Sequence, residues 1–211
     1  MSTLAVIAKA PVAGRSKTRL TPPCTPCQAA TLAEAALADT LAAVAATPAQ
    51  RHVVVLDGEP GPWLPPHFEV IAQRGAGLGE RLAAAFRDID GEMLVVGMDT
   101  PQVTRALLTQ ALTELRAADA VLGAAPDGGY WAIGLGHADD GAFAGVPMSA
   151  PTTCAVQRER LRALGLRTRE LPPLRDVDEI ADAYAVAATA PQTRFARTLA
   201  AMDLDRTRVA A

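Results

Sequence analysis

Leu94-Val95-Val96-Gly97-Met98-Asp99-Thr100-Pro101 is the stretch on which the reading of the whole chain turns. A β-branched apolar run is a strand buried on both faces, as in a parallel sheet, and the glycine, carboxylate and proline that follow stop it. Asp99 then stands at a strand's carboxyl end, the edge where open α/β sheets bind ligands, placed for a metal or a polar substrate group. The alternative is local: Asp99 caps the helix expected to start near Thr104, or ties the turn before Pro101.

Working outward, Leu4–Ala8 is an expected first strand. A Gly/Pro/Ser loop from Lys9 to Pro23 follows it. A helix is expected over Gln28–Ala46 and strands over His52–Leu56 and Phe68–Ala72. A glycine-rich turn, 75–79, opens a helix to Ile89 that returns the chain to Leu94. Beyond Pro101 come an amphipathic helix through Leu115 and two strands, Ala120–Ala125 and Ala132–Leu135, around Asp127-Gly128-Gly129-Tyr130. Last are a helix over Thr152–Leu164, an extended Leu166–Leu171, and helices over Val177–Ala188 and Thr193–Met202. Alternating strands and helices imply right-handed βαβ units, hence an α/β fold with a mostly parallel sheet. With 211 residues, 50% of them apolar, residues 1–211 suit one domain.

A net charge of −3 argues against nucleic acid as a partner. No apolar run approaches the ~20 residues of a spanning helix, and the start lacks a signal-peptide pattern, so a cytoplasmic protein off the membrane is expected. Three cysteines are too few for a disulfide framework. Cys24 and Cys27 read as chance residues of a Pro-rich loop. The histidines stand apart, so no nucleophilic triad is suggested.

Charge is distributed unevenly. No Asp or Glu occurs from Met1 to Ala33, where Lys9, Arg15, Lys17 and Arg19 all fall. Gly14-Arg15-Ser16-Lys17 is not a P-loop, which needs glycine before the lysine. A flexible cationic loop at a strand end nonetheless suits an anion, with arginine able to pair bidentately. Gly75-Ala76-Gly77-Leu78-Gly79 permits close approach of a flat ligand or is a plain strand-to-helix turn. Asp127-Gly128-Gly129-Tyr130 offers backbone groups to a hydroxylated substrate or is a hairpin turn. Arg175-Asp176-Val177-Asp178-Glu179 reads as a first helical turn whose acids are dipole partners, unless they join Asp99 around Mg²⁺.

Taken together, AGRSKTRLTP, GLGERL, GMDTP, PDGGYWAIGL and LRDVDEIAD closely resemble the DUF2064, or CofC-like, family of nucleotidyl- and glycosyltransferases within the nucleotide-diphospho-sugar transferase superfamily. The resemblance runs from Ala5 to about Tyr184. It implies a GT-A-like three-layer α/β sandwich. It also implies that Ala8, Lys9, Gly14, Arg15, Lys17 and Arg19 wrap the nucleotide, with Lys17 and Arg19 on its phosphates and Lys17 catalytic together with Asp99. Gly77 and Gly79 would approach the base, Arg81 would also bind the nucleotide, and Asp127, Gly128, Gly129, Tyr130 and Ser149 would face the acceptor. Asp99 and Asp178, supported by Asp176, would hold Mg²⁺ or Mn²⁺. This sequence departs from the family where Glu179-Ile180 replaces Thr-Pro and Met148 stands where tryptophan is frequent. The expected reaction is nucleotidyl transfer from a nucleoside triphosphate to a small phosphorylated acceptor. Glycosyl transfer from a nucleotide sugar is the alternative, and a non-catalytic nucleotide sensor the third. The alanine-rich C-terminal helices suggest a homodimer.

Overall fold

The computed structural model describes residues 2–204. Its centre is a seven-stranded sheet in the order β3-β2-β1-β4-β6-β5-β7. The strands are β1 (Ser2–Lys9), β2 (Arg51–Asp57), β3 (Glu69–Ala72), β4 (Glu92–Gly97), β5 (Ala120–Ala124), β6 (Tyr130–Leu135) and β7 (Thr168–Leu171). The opening stretch is β4, paired in parallel with β1 and antiparallel with β6. Its apolar run has no polar alternation because both faces are covered. Leu94 and Val96 point into a core with α1 (Pro26–Ala45) and α3 (Arg105–Arg116), while Met93 and Val95 pack with α2 (Leu78–Asp88) and α4 (Thr153–Ala163). This is the expected three-layer sandwich. A further cluster joins α5 (Ile180–Thr189) and α6 (Arg194–Ala200) to the outer side of α1 through Leu32, Val186 and Phe195.

Three local expectations are corrected. Helix α1 starts earlier than Gln28: Pro26 occupies a position where its missing N–H is no loss, and Thr25 and Gln28 form a capping box. Cys27 therefore lies in the first turn of a helix rather than in a loop. Residues 175–179 are irregular instead of helical, and the Val177 backbone N–H donates to the Asp99 carbonyl at 2.9 Å rather than into a helix. Glu179 then caps α5 reciprocally with Asp182. Finally, Thr104 caps α3 by accepting from the Leu107 N–H, which removes the capping role considered for Asp99.

Candidate active site

The C-terminal ends of β1 and β4 and the N-terminal end of β6 share one edge of the sheet, because β6 runs backwards beside β4 with Val96 opposite Ala132. A cavity of about 820 Å³ opens there, floored by Ile7, Leu82, Val95 and Ile133 and rimmed by Lys9, Arg19, Asp99, Asp127, Asp176 and Asp178. A smaller hollow of about 220 Å³, lined by Arg15, Lys17 and Thr18, adjoins it and shares Lys9, Arg19, Asp99 and Asp178. Another hollow, of about 590 Å³, lies at the opposite edge by Ser2, Gln50, Glu92 and Arg116 and gathers no comparable set of groups.

The loop after β1 is pinned at both ends. Ser16, buried, donates to the Ala10 carbonyl and accepts from the Val12 N–H. Lys17 takes a left-handed backbone, φ 50°, ahead of a 3₁₀ turn at Thr18–Leu20. Its ammonium lies 2.7 Å from Asp99 Oδ2 with the side chain only 11% exposed, and it also donates to the Val177 carbonyl. One lysine thus joins the loop, the end of β4 and the segment before α5. Arg19 reaches Asp178. Lys9 and Arg15 have no ion-pair partner among the described residues and remain open toward the hollows. Ser149, also left-handed at φ 57°, lines the cavity. These two are the positive-φ non-glycine residues among those described, and both stand at the site, where strained backbone typically collects.

Asp127 and Gly129 form the rim of the β5–β6 turn, Asp127 Oδ1 accepting from the Gly129 N–H at 2.8 Å. Gly128 (φ +91°) is pressed against the Pro151 backbone, leaving no room for a Cβ, and its carbonyl accepts from the Cys154 N–H at 2.8 Å. Beneath them the Tyr130 hydroxyl lies 3.5 Å from Gln157 Oε1 and 3.7 Å from Met148 Sδ. Burial, and then the Cys154 thiol, push the Tyr130 hydroxyl's pKa upward, so it stays protonated. Asp176 is pushed up to about 6, first by burial and then by the charge of Asp127; Asp99 adds to this and Lys17 opposes it.

Other expected residues have different neighbours. Arg81 faces neither hollow: it donates to Asp57 and Gln73, both at 3.0 Å, and to the Gly75 carbonyl. Gly77 precedes α2 as its N-cap, and Gly79 sits under Met148, whose Cε is 3.3 Å from where a Cβ would be. Gly14 makes the loop's turn at φ +76° with open space around it. Gln73, which no motif singled out, ties two strand ends by donating to the Ala8 and Val55 carbonyls at 2.7 and 3.0 Å. Only the tertiary pairing of β1 with β2 gives it that role.

The fit to a divalent cation rests on Asp99. Its Oδ1 is buried without a hydrogen-bond partner, and such an orphaned carboxylate oxygen calls for a cation or a donor. Among the described residues no three His, Cys, Asp or Glu side chains form a complete metal cluster. This suits Mg²⁺, which ordinarily takes one or two carboxylates and completes its shell with water and substrate phosphates.

Fold and site define the class first: GT-A-like enzymes with the nucleotide-diphospho-sugar transferase fold. A candidate nucleotide-diphospho-sugar transferase from Desulfovibrio desulfuricans G20 is 27% identical, with 94% of this chain and 93% of that one aligned at a TM-score of 0.84. The chain itself belongs to the family described as "Uncharacterized protein conserved in bacteria (DUF2064)", whose profile matches residues 28–150. Two more distant structures share the fold. One is 2-C-methyl-D-erythritol 4-phosphate cytidylyltransferase from Thermus thermophilus (19% identity; 89% of this chain, 98% of that one; TM-score 0.56). The other is Rv0371c of Mycobacterium tuberculosis H37Rv in complex with manganese (19%; 88% and 96%; 0.56). No curated protein matches the sequence.

Proposed function

We propose that the protein is a divalent-metal-dependent transferase that takes its donor group from a nucleotide. The observation that carries this reading is the meeting of Lys9 and Arg15, which have no ion-pair partner among the described residues, with the orphaned Asp99 Oδ1 at one strand edge. Cations at the end of β1 and in the loop after it neutralise phosphate oxygens, and a carboxylate opposite them would hold a divalent metal that adds positive charge to the donor side. Manganese in Rv0371c and the sugar-nucleotide name of the Desulfovibrio protein support this assignment.

In this mechanism Asp99 and Asp178 would hold Mg²⁺ or Mn²⁺, which supplies electrophilic polarisation of the donor phosphates. Lys9, Arg15 and Arg19 orient the donor and neutralise charge developing on its phosphates; Lys17 holds Asp99 in place and stands within reach of the same charge. The apolar floor of Ile7, Leu82, Val95 and Ile133 excludes water from the reacting centre. Catalysis here is positioning and electrostatic preorganisation rather than covalent chemistry. Donor-side charge favours nucleotidyl transfer from a triphosphate: an acceptor oxygen bonds to the α-phosphorus and pyrophosphate leaves with the electron pair. Glycosyl transfer from a nucleotide sugar is the second reading, favoured by the acidic, cation-free wall around Asp127.

A thermal-shift panel of nucleoside triphosphates and nucleotide sugars, with and without Mg²⁺ or Mn²⁺, tests the donor. Metal-dependent stabilisation by one donor is expected; a flat panel under every metal condition would refute the nucleotide reading. Pyrophosphate release from a triphosphate, against nucleoside diphosphate release from a nucleotide sugar, separates the two reactions.

A further inference from the structure

The cavity is electrically divided. Of the described side chains lining it only Lys9 and Arg19 are cationic, Lys9 at the end of β1 and Arg19 in the loop that follows. Around the β5–β6 turn the lining is Asp127, Tyr130, Met148, Ser149, Thr153 and Asp176, with no cation. The nearby cations are committed elsewhere: Lys17 to Asp99, Arg19 to Asp178 and Arg175 to Asp182. Among the described residues neither Asp127 nor Asp176 has an ion-pair partner. The cavity wall also holds Thr100, 1% exposed, whose hydroxyl has no hydrogen-bond partner. Carboxylates without a cation partner accept from hydroxyl groups and repel phosphate, and the unsatisfied Thr100 hydroxyl adds a neutral group able to pair with a hydroxyl.

We propose that the acceptor is a polyhydroxylated molecule bearing no phosphate or carboxylate, with hydroxyls gripped by Asp127 and Asp176 in the half of the cavity beside the β5–β6 turn. This rests on the transferase reading above and replaces the phosphorylated acceptor expected from sequence. A hydroxyl nucleophile, unlike a phosphate, must lose a proton as it reacts. Its oxygen bonds to the transferred phosphorus or anomeric carbon, the bond to the leaving pyrophosphate or nucleoside diphosphate breaks with its electron pair, and the proton passes to Asp127 and on to water.

The test titrates the full chain, in Mg²⁺ and saturating inorganic pyrophosphate to fill the donor side, with matched pairs by ligand-observed NMR: glycerol and glycerol 3-phosphate, ribose and ribose 5-phosphate, glucose and glucose 6-phosphate. At least one parent polyol should bind about tenfold tighter than its ester, since a phosphate dianion meets two carboxylates across a few ångströms. In the double variant Asp127→Asn, Asp176→Asn that preference should shrink to within about threefold. Esters binding as tightly as their parents, no binding by any parent, or an undiminished preference in the double variant would each overturn the inference. Nucleotide-induced thermal stabilisation is measured on the same samples before pyrophosphate is added and shows that both proteins are folded. If it is present in the wild type while esters are preferred, only the acceptor assignment fails. If it is absent, the donor reading fails.

Discussion

Replacing Lys17 by methionine keeps most of the apolar stem and removes the charge that faces Asp99. The ammonium lies 2.7 Å from Asp99 Oδ2, with side chains 11% and 32% exposed, and it also bonds the Val177 carbonyl. Breaking a fully buried pair costs about 3–5 kcal/mol, because the surviving charge is left without a partner. Asp99 retains a third of its exposure, so solvent screens part of that loss, and an expected cost of about 1–3 kcal/mol follows. For a chain of this size that lowers Tm by roughly 3–9 °C. Urea unfolding of the wild type, Lys17→Met, Asp99→Asn and the double variant gives the coupling directly, expected at about 1–2 kcal/mol and favourable. The same substitution removes the cation that competes for Asp99. Mg²⁺ in the absence of nucleotide should therefore stabilise Lys17→Met more than the wild type, although turnover falls. A coupling within about 0.3 kcal/mol of zero, the ordinary limit of additivity, would refute the idea that Lys17 holds Asp99.

The remaining outcomes address the turn, the loop and the scaffold. Gly128→Ala should lose about 2–4 kcal/mol in urea unfolding, since a Cβ at φ +91° meets the Pro151 backbone, and polyol binding should fall with it. Arg19→Ala removes an exposed pair with Asp178, side chains 65% and 33% exposed. Its stability should change by less than about 1 kcal/mol, while nucleotide-induced stabilisation drops and loses part of its salt dependence. Thr25→Ala deletes the α1 cap. It should cost about 1 kcal/mol in thermal unfolding and leave the nucleotide response intact, so a loss of that response would mean that α1 reports on the site.

The architecture was legible where one signal had one cause. The run at Leu94–Val96 could be so apolar only with both faces covered, and it lies at the sheet's centre between β1 and β6. Asp99 was legible as a strand-end carboxylate. Its sharing of Lys17 was not, because the partner comes from a loop about eighty residues away in sequence. The segment 175–179 misled because acids ahead of an apolar helix look like a first turn. Its backbone is instead drawn along the end of β4 by the Val177 hydrogen bond to Asp99, a contact with no local signature. Pro26 misled in the other direction, marking the first position of a helix where a loop was read. Gln73 and Thr100 owe their places in the site to strand pairing and burial, which no short motif encodes.

The reversed strand β6 has a consequence for descent. Because β5 and β6 are joined by a tight turn rather than by a crossover helix, the rim that carries Asp127, Gly128 and Gly129 is a few residues long and is clasped by Pro151 and the start of α4. The proposed donor side is built into β1, β4 and the loop that Lys17 locks to them, where a change disturbs the core. On the proposed reading, the recipient can change through Asp127 and residues 147–150, while Gly128, pressed against Pro151, and the donor side are inherited intact.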